Sequence, residues 1–253
     1  MSHFSVLVIG DDITKQLQPY HEYECTGIDD EYVVDVDRTD EARAKYAERS
    51  DDYKNESFEE WAEGWYGITP NSDGRVIDRT NPNAKWDWRV IGGRWSTWLP
   101  FTEGTRAELD IEAIRAQKAD EARADYRSTV PADIEPPDTD WAGFRDRYDT
   151  IDEARNAWQN HPFVKACNEA HDGWCWDASE YFVDEETFVE AARMRAIVPF
   201  AVVVDGEWLA KGEMGWFGAS TEEMPESEWN RKVNELIENL PGETLLTVVD
   251  CHI

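Results

Sequence analysis

Two arginines and four tryptophans stand close together in the stretch Asn81–Leu99, NPNAKWDWRVIGGRWSTWL. The planar guanidinium of arginine binds a carboxylate or phosphate through two parallel hydrogen bonds, and an indole offers a stacking surface. Such groups are typical of a site for a nucleotide or another anion. The candidate ligand-binding residues of this stretch are Asp87, Trp88, Arg89, Arg94, Trp95 and Trp98. The alternative is that both arginines form structural ion pairs with carboxylates of this acidic chain.

The Gly92-Gly93 pair predicts how these side chains are positioned. Two consecutive glycines accept the positive φ angles of a two-residue turn, so we expect a β-hairpin that turns there. Alternation along its strands sorts the side chains onto two faces. One face, expected to pack in the core, carries Trp86, Trp88, Val90, Trp95, Thr97 and Leu99. The other face, a polar platform, carries Asp87, Arg89, Ile91, Arg94, Ser96 and Trp98.

A second group of residues whose side chains could do chemistry is Cys167, His171 and Cys175. They follow one another at intervals of four residues. On an unbroken helix this spacing places sulfur and imidazole on one face, where with His161 they could bind zinc. Gly173 argues against an unbroken helix, and the chain has no CxxC pair. We therefore predict no metal and no other cofactor, and we keep these residues as the alternative metal ligands.

The two ends of the chain hold a third group, His3 near the start and Cys251 and His252 near the end. These residues can meet only if the first and last strands are neighbours. A cysteine beside a histidine can act as nucleophile and base, with Asp250 or Glu213 to orient the imidazole. A strand, however, sends Cys251 and His252 to opposite faces. A buried thiol and a hydrogen-bonded histidine are therefore the favoured interpretation.

The charge of the chain bounds the class of its partners. Its 253 residues include 55 acidic and 25 basic side chains, which gives a formal net charge of −30. Direct binding of nucleic acid or of an anionic membrane is not expected, because phosphate groups must be neutralised by lysine and arginine. A protein with a basic surface is the natural complement. Imitation of nucleic-acid phosphates, adaptation to high salt and the ordinary acidity of a globular protein are all compatible with this composition.

The acidic residues are concentrated near the start of the chain. Residues 11–60, which we call the acidic lobe, contain 17 acidic and six basic side chains. Because 41% of the whole chain is apolar, it can nevertheless build a core, unlike a disordered acidic tail. The first apolar run, Phe4–Ile9, is too short to span a bilayer and follows no basic segment. We expect a cytoplasmic protein.

The order of the predicted elements indicates an α+β fold. The chain begins with a buried strand over residues 3–10 and ends with another over residues 244–253. Between them, near the end, come a hairpin that turns at Asp205-Gly206 and a helix over residues 225–240 with one apolar stripe. The first strand of this hairpin is apolar on both faces, so we expect it to be central in its sheet.

This order is that of a ferredoxin-like antiparallel sheet, here built from both ends of the chain. We expect a single domain over residues 1–253, with a core formed by residues 1–20 and 196–253. A large helical and hairpin insertion over residues 21–195 would interrupt that core.

Three strings, MSHFSVLVIGDD, NPNAKWDWRVIGGRW and LLTVVDCHI, resemble a family of uncharacterised proteins of tailed bacteriophages. The resemblance covers both ends and the middle of the chain but not the acidic lobe. It implies an accessory phage protein made in the cytoplasm of an infected host, and it implies no particular activity. We expect a protein that binds and antagonises a host protein, in host takeover or counter-defence, with acidic nucleic-acid mimicry as one mechanism. The alternative is a binder or enzyme for a small anionic ligand such as a nucleotide.

Overall fold

The computed structural model describes residues 2–23, 31–50, 53–173, 177–214, 220–221 and 223–253. Its strands are β1 (His3–Ile9), β2 (Val34–Asp37), β3 (Ile77–Thr80), β4 (Trp88–Ile91), β5 (Glu103–Thr105), β6 (Ala201–Val204), β7 (Glu207–Ala210), β8 (Glu213–Met214), β9 (Ser220–Thr221) and β10 (Leu245–His252). Its α-helices are α1 (Ile13–Leu17), α2 (Thr39–Ala47), α3 (Phe58–Tyr66), α4 (Ile111–Thr129), α5 (Trp141–Arg145), α6 (Ile151–Asn160), α7 (Pro162–Ala170), α8 (Glu185–Arg195) and α9 (Glu226–Glu238). The predicted α+β class is confirmed.

The chain divides into two compact units. Unit 1 comprises Met1–Arg106, Pro199–Glu226 and Gly242–Ile253, and unit 2 comprises Ala107–Val198 and Ser227–Pro241. The predicted insertion, residues 21–195, is thus divided between them, because residues 21–106 group with the strands at the two chain ends.

Unit 1 is organised by a mixed sheet in the order β4-β10-β1-β6-β7, with β5 also paired to β10. The first and last strands are antiparallel neighbours, as predicted, and His3 lies opposite His252 in their register. On one face a cluster of buried side chains includes Val6, Ala201 and Val249. These are side chains from β1, β6 and β10, so the centre of the sheet is also the centre of the core.

The strand order differs from that of a ferredoxin-like sheet, which is antiparallel throughout. In that topology the second hairpin strand lies beside the first strand of the chain. Here β6, the first hairpin strand, takes that place and runs parallel to β1. The physical reason is burial: Ala201, Val202 and Val203 are all fully buried, whereas no residue of β7 is. The hairpin itself turns as predicted, with Asp205 and Gly206 both at positive φ.

The predicted hairpin at Gly92-Gly93 does not form. Its first strand, β4, pairs instead with β10, and a 3-10 helix over Gly93–Trp95 replaces the return strand. Both glycines do have positive φ. Their lack of a side chain lets other residues of unit 1 pack closely against the backbone at these two positions. A Cβ atom on Gly92 would lie 2.6 Å from Cγ2 of Thr102, and one on Gly93 would lie 2.4 Å from Oδ2 of Asp250.

Part of the acidic lobe forms a small module in unit 1. The two-stranded sheet of β2 and β3 accompanies a core cluster in which Ala42 of α2 and Trp61 of α3 are buried. Local sequence explains α3: Ser57 and Glu60 form a capping box at its start, and Gly67, at φ 66°, ends it. This small core leaves the acidic side chains of both helices to face outward.

Unit 2 is helical. Its core cluster includes Phe163, Val164 and Cys167 of α7 and Phe188 and Val189 of α8, all buried. Three of its helices, α4, α6 and α8, begin at capping residues, namely Asp110, Thr150 and Asp184, whose side chains accept hydrogen bonds from first-turn amides.

A buried arginine joins two helices of unit 2. The guanidinium of Arg115 donates hydrogen bonds to Oδ1 of Asn234 and to Oε1 of Glu238, both at 2.6 Å. Arg115 also pairs with Glu112, one turn earlier on α4. Among the described residues, no helix is long and apolar enough to cross a membrane.

Candidate functional site

The two histidines at the chain ends meet at one end of the unit 1 sheet. Cross-strand neighbours point to the same face of a sheet, and His3 of β1 is paired with His252 of β10. Their ring centroids are 5.0 Å apart and their planes are inclined by 71°. Trp88 of β4 lies opposite His252 on the other side, with its ring centroid 6.1 Å from that of His3. We call the group His3, His252, Asp87, Asp250 and Trp88 the histidine cluster.

Each histidine of the cluster is held by its own carboxylate. Nδ1 of His3 lies 2.9 Å from Oδ1 of Asp250, and Nδ1 of His252 lies 2.6 Å from Oδ1 of Asp87. An ionised carboxylate can only accept a hydrogen bond, so each Nδ1 donates. This arrangement fixes the orientation of both rings. Within the described part of the chain, neither Nε2 atom has a hydrogen-bond partner.

Asp250 is the most buried member of the cluster. Its side chain is 2% exposed, and Oδ2 accepts a hydrogen bond of 3.0 Å from the backbone amide of Arg94. The lack of a side chain at Gly93 makes this approach possible. The carboxylate is therefore satisfied on both oxygens, by an imidazole and by a backbone N–H group, as buried charges must be.

Asp87 is part of a wider polar environment. Its backbone carbonyl accepts a hydrogen bond of 2.9 Å from the ring of His21. Burial, and then the nearby carboxylate of Asp87, raise the pKa of Glu22. Glu22 is therefore a second carboxyl group close to Asp87.

The structure brings together only some of the predicted ligand-binding residues. Asp87 and Trp88 belong to the histidine cluster, and Trp88 is 50% exposed. Arg89, one residue along β4, points to the opposite face. There its guanidinium lies 5.7 Å from the centre of the Trp86 ring and donates a hydrogen bond of 3.0 Å to Oγ1 of Thr14. Arg94 contacts the histidine cluster through its backbone amide, which donates to Asp250, and its side chain is exposed.

The predicted two-faced platform is therefore wrong. A hairpin face needs two strands, and the segment from Arg94 to Trp98 consists of a 3-10 helix followed by turns. Trp95 and Trp98 are half-buried, and Nε1 of Trp95 is a buried atom without a hydrogen-bond partner among the described residues. Arg89 and Arg94 also have no carboxylate within ion-pair distance in the described part of the chain, contrary to the alternative of structural ion pairs.

Cys251 does not join the histidines. It lies on the opposite face of β10 in the core cluster with Phe4 and Val249 and is fully buried. Burial raises the pKa of its thiol, which disfavours the thiolate that nucleophilic chemistry requires. This placement matches the favoured interpretation of a buried structural thiol. Of the two orienting groups that the sequence offered, Asp250 contacts the ring of His3.

The alternative metal ligands do not converge where they are described. Cys167 is buried in the core of unit 2, whereas Nε2 of His171 lies within 3.1 Å of the hydroxyls of Thr129 and Tyr181. Helix α7 ends at Ala170, and positive φ angles at Asp172 and Gly173 turn the chain away. Cys175 lies outside the described residues, and no group of three or more potential metal ligands occurs among those described.

The histidine cluster has the parts of an acid–base or anion-binding site. A carboxylate on Nδ1 leaves Nε2 as the atom that can accept or give a proton, and a protonated imidazole attracts an anion. The sequence does not reveal the pairing of His252 with Asp87, because it predicts that β4 pairs with a return strand of a hairpin. In the structure β4 pairs with β10. Comparison with models of protein families, with curated proteins and with solved structures finds no match to this chain.

Proposed function

We propose that this protein is a bacteriophage accessory protein that acts in the cytoplasm of an infected bacterium. Its acidic surface would bind a basic surface of a host protein, such as a groove that receives nucleic acid, and thereby antagonise that protein. The resemblance of three strings in the chain to a family of tailed-phage proteins supports the source, and the charge of the chain supports the mode of action.

The placement of the carboxylates supports this proposal most directly. Among the described residues, Asp250 is the only acidic side chain that is buried. The excess of acidic over basic residues therefore lies at the surface, where it can attract a basic partner and accelerate encounter.

Local ion pairs leave few cations to balance this surface. Many pairs are formed within one helix, such as Lys45 with Glu41, Arg123 with Asp120 and Arg231 with Glu235. Each such pair uses one basic side chain for one carboxylate. Because the chain has more than twice as many acidic as basic residues, most carboxylates cannot be paired in this way.

Helix α3, which begins in the acidic lobe and continues beyond it, offers a compact contact surface. Glu59 and Glu63 are exposed and lie one turn apart, on one side of the helix. Trp65 is 59% exposed, and its ring stacks on that of Trp61 with centroids 5.8 Å apart. A rigid exposed tryptophan is the kind of residue that dominates the binding energy of protein interfaces.

The test is capture of bacterial proteins on the immobilised protein at increasing salt. The neutralised variant carries Asp40→Asn, Glu48→Gln, Glu59→Gln and Glu63→Gln, all exposed positions of α2 and α3 or the residue after α2. The matched control carries four exposed changes in unit 2, Asp133→Asn, Asp149→Asn, Glu180→Gln and Glu190→Gln. We expect a basic protein to be captured at low salt and released by high salt, and to be lost selectively from the neutralised variant.

Equal capture by wild type and both variants would contradict the proposal. Selective loss followed by identification of a nucleic-acid-binding protein, and by inhibition of its nucleic-acid binding, would support mimicry. If no partner is captured but folding depends strongly on salt, adaptation to high salt is the better explanation.

A second function is favoured by the geometry of the histidine cluster, namely binding of a small anionic ligand such as a nucleotide. Two imidazoles, whose Nε2 atoms bond to no other described residue, lie beside a half-exposed indole. The imidazoles would contact a phosphate group, and the indole of Trp88 would stack against a base.

A panel of nucleotides tests this second function through the melting temperature, which a ligand raises by mass action. A rise is expected with wild type and should vanish in His252→Asn and Trp88→Ala. Arg94→Ala shows whether the exposed guanidinium contributes. Trp65→Ala, which changes an exposed tryptophan of α3, should keep the shift. The absence of a shift with every nucleotide would contradict this function.

A further inference from the structure

Unit 2 contains a cavity of about 860 Å³ at the junction of α5, α6, α7 and the 3-10 helix Ala178–Tyr181. This volume lies within the range of small-ligand sites, about 300–1,000 Å³. Neither the histidine cluster nor the acidic lobe contributes to it. Its described lining combines two indoles with three carboxylates.

One wall of the cavity is a rigid aromatic corner. The rings of Trp141 and Trp158 have centroids 5.8 Å apart and planes inclined by 68°. Trp158 also packs edge-on against Phe144, with centroids 5.1 Å apart. Val164 and Ala178, both buried, add apolar surface to the lining. The two indoles are in edge-to-face contact, so only their surfaces that line the cavity can contact a group that enters it.

The rest of the described lining is polar, with an excess of acidic groups. Glu169, Asp172 and Asp177 contribute carboxylates, and Lys165 is the one cation among the described lining residues. Lys165 is exposed and lies 3.9 Å from Glu169, at the outer limit of an ion pair. Indole faces attract cations through the ring quadrupole, and carboxylates attract them directly. The chemistry of this lining therefore selects a positively charged group with an apolar stem.

We infer that this cavity binds an arginine or lysine side chain of a basic polypeptide. The inference rests on the proposed function and deepens it. The net negative charge only attracts a basic partner, whereas the cavity would bind one of its cationic side chains specifically. The apolar stem of the side chain would lie against the indole surfaces that line the cavity, and its charged end would reach the carboxylates.

The probe is a peptide of six arginines, and its control is the same peptide with citrulline in place of arginine. Citrulline keeps the shape of arginine and lacks its charge. Binding is measured by titration calorimetry, and the indole N–H signals of Trp141 and Trp158 are followed by NMR. We expect the arginine peptide to bind and to shift both signals, and the citrulline peptide to do neither.

Two double variants with the same change in net charge separate the cavity from the general acidity. The cavity variant is Glu169→Gln with Asp172→Asn, in which asparagine tolerates the positive φ of Asp172. The control is Asp149→Asn with Glu190→Gln, at exposed positions of unit 2 outside the cavity lining. We expect roughly fivefold to tenfold weaker binding in the cavity variant and less than about twofold in the control.

Equal weakening by both variants would overturn the cavity and leave the proposed function standing, because binding would then follow total charge. Binding of the citrulline peptide as tightly as the arginine peptide would also overturn it. No binding of the arginine peptide by wild type would count against both. Trp141→Phe, which keeps an aromatic wall, should weaken binding less than the cavity variant does and should identify the Trp141 signal.

Discussion

The imidazole of His3 lies 2.9 Å from the carboxylate of Asp250, a residue 247 positions later in the chain. This contact joins the first and last strands, and the backbone continues the junction, since the amide of Ser2 donates to the carbonyl of Ile253. The same carboxylate receives the amide of Arg94. One buried side chain therefore links three distant segments of unit 1.

Asp250→Asn should destabilise the protein. Asparagine has one acceptor oxygen in place of two charged ones, so the charge-assisted hydrogen bonds with His3 and with the amide of Arg94 cannot both be kept, at a cost of about 1–3 kcal/mol. Urea denaturation should show a lower midpoint with an unchanged slope. Asp11→Asn, at an exposed position of the same unit, is the control and should leave the midpoint unchanged. Equal midpoints for both variants would contradict the role of Asp250.

Gly93→Ala should be more destabilising than Gly206→Ala. Both glycines have positive φ, but a Cβ atom on Gly206 meets open space, whereas one on Gly93 would clash with Asp250 and Val90. We expect about 1 kcal/mol for the strain at Gly206 and about 1–3 kcal/mol more at Gly93 for overpacking. Thermal and urea unfolding of the two variants measure the difference. Comparable losses would show that the backbone at Gly93 can move away.

Cys251 should resist alkylation in the folded protein. The thiolate is the reactive species, and burial raises the pKa of this thiol. Iodoacetamide labelling resolved by mass spectrometry should find Cys251 unmodified at pH 8 without urea and modified once urea unfolds the chain. Rapid labelling without urea would mean that the face of β10 carrying Cys251 opens readily.

The module of β2, β3, α2 and α3 should lose stability in acid through Asp37. Hydrogen bonds from Thr39 and the guanidinium of Arg75 lower the pKa of Asp37 to about 2. Because the pKa of Asp37 is lower in the folded than in the unfolded state, its ionised form stabilises the fold at pH values above the unfolded-state pKa. This stabilisation is lost as the carboxylate is protonated, here between about pH 4 and pH 2. Asp37→Asn should reduce the dependence of stability on pH in that window. Circular dichroism during acid titration provides the measurement, and Asp35→Asn is the neighbouring control.

Salt should stabilise the folded protein. Carboxylates at the surface repel one another, and this repulsion is screened when the Debye length falls from about 30 Å at 0.01 M to about 8 Å at 0.15 M. The melting temperature should therefore rise over this range of sodium chloride. The neutralised variant of the acidic lobe should show a smaller rise than wild type. A melting temperature independent of salt would mean that the carboxylates are too widely separated to interact.

Several features of this protein follow from local sequence. The hairpin at Asp205-Gly206 forms as predicted. The capping box of Ser57 and Glu60 and the starts of α4, α6 and α8 are likewise local features. Each depends on hydrogen bonds or φ preferences within a few residues, so a short stretch contains the information. For the candidate ligand site, local sequence indicates some of the residues but not their partners. Asp87 and Trp88 do lie in a polar cluster, but their partners are His252 and His3, which no local pattern connects to them.

The sequence by itself determined that this is an α+β chain with a buried first and last strand and a negative surface, because burial pattern and charge are properties of composition and spacing. Tertiary structure decided which strands pair. Gly92 and Gly93 suit a hairpin turn as well as they suit the close approach that Gly93 makes to Asp250. Only β10, more than 150 residues away, selects the second arrangement. The same long-range choice places β6 beside β1 and brings His3, His252, Asp87 and Asp250 together. Strand pairing is selected by burial and by distant backbone partners, and these are set only when the whole unit folds.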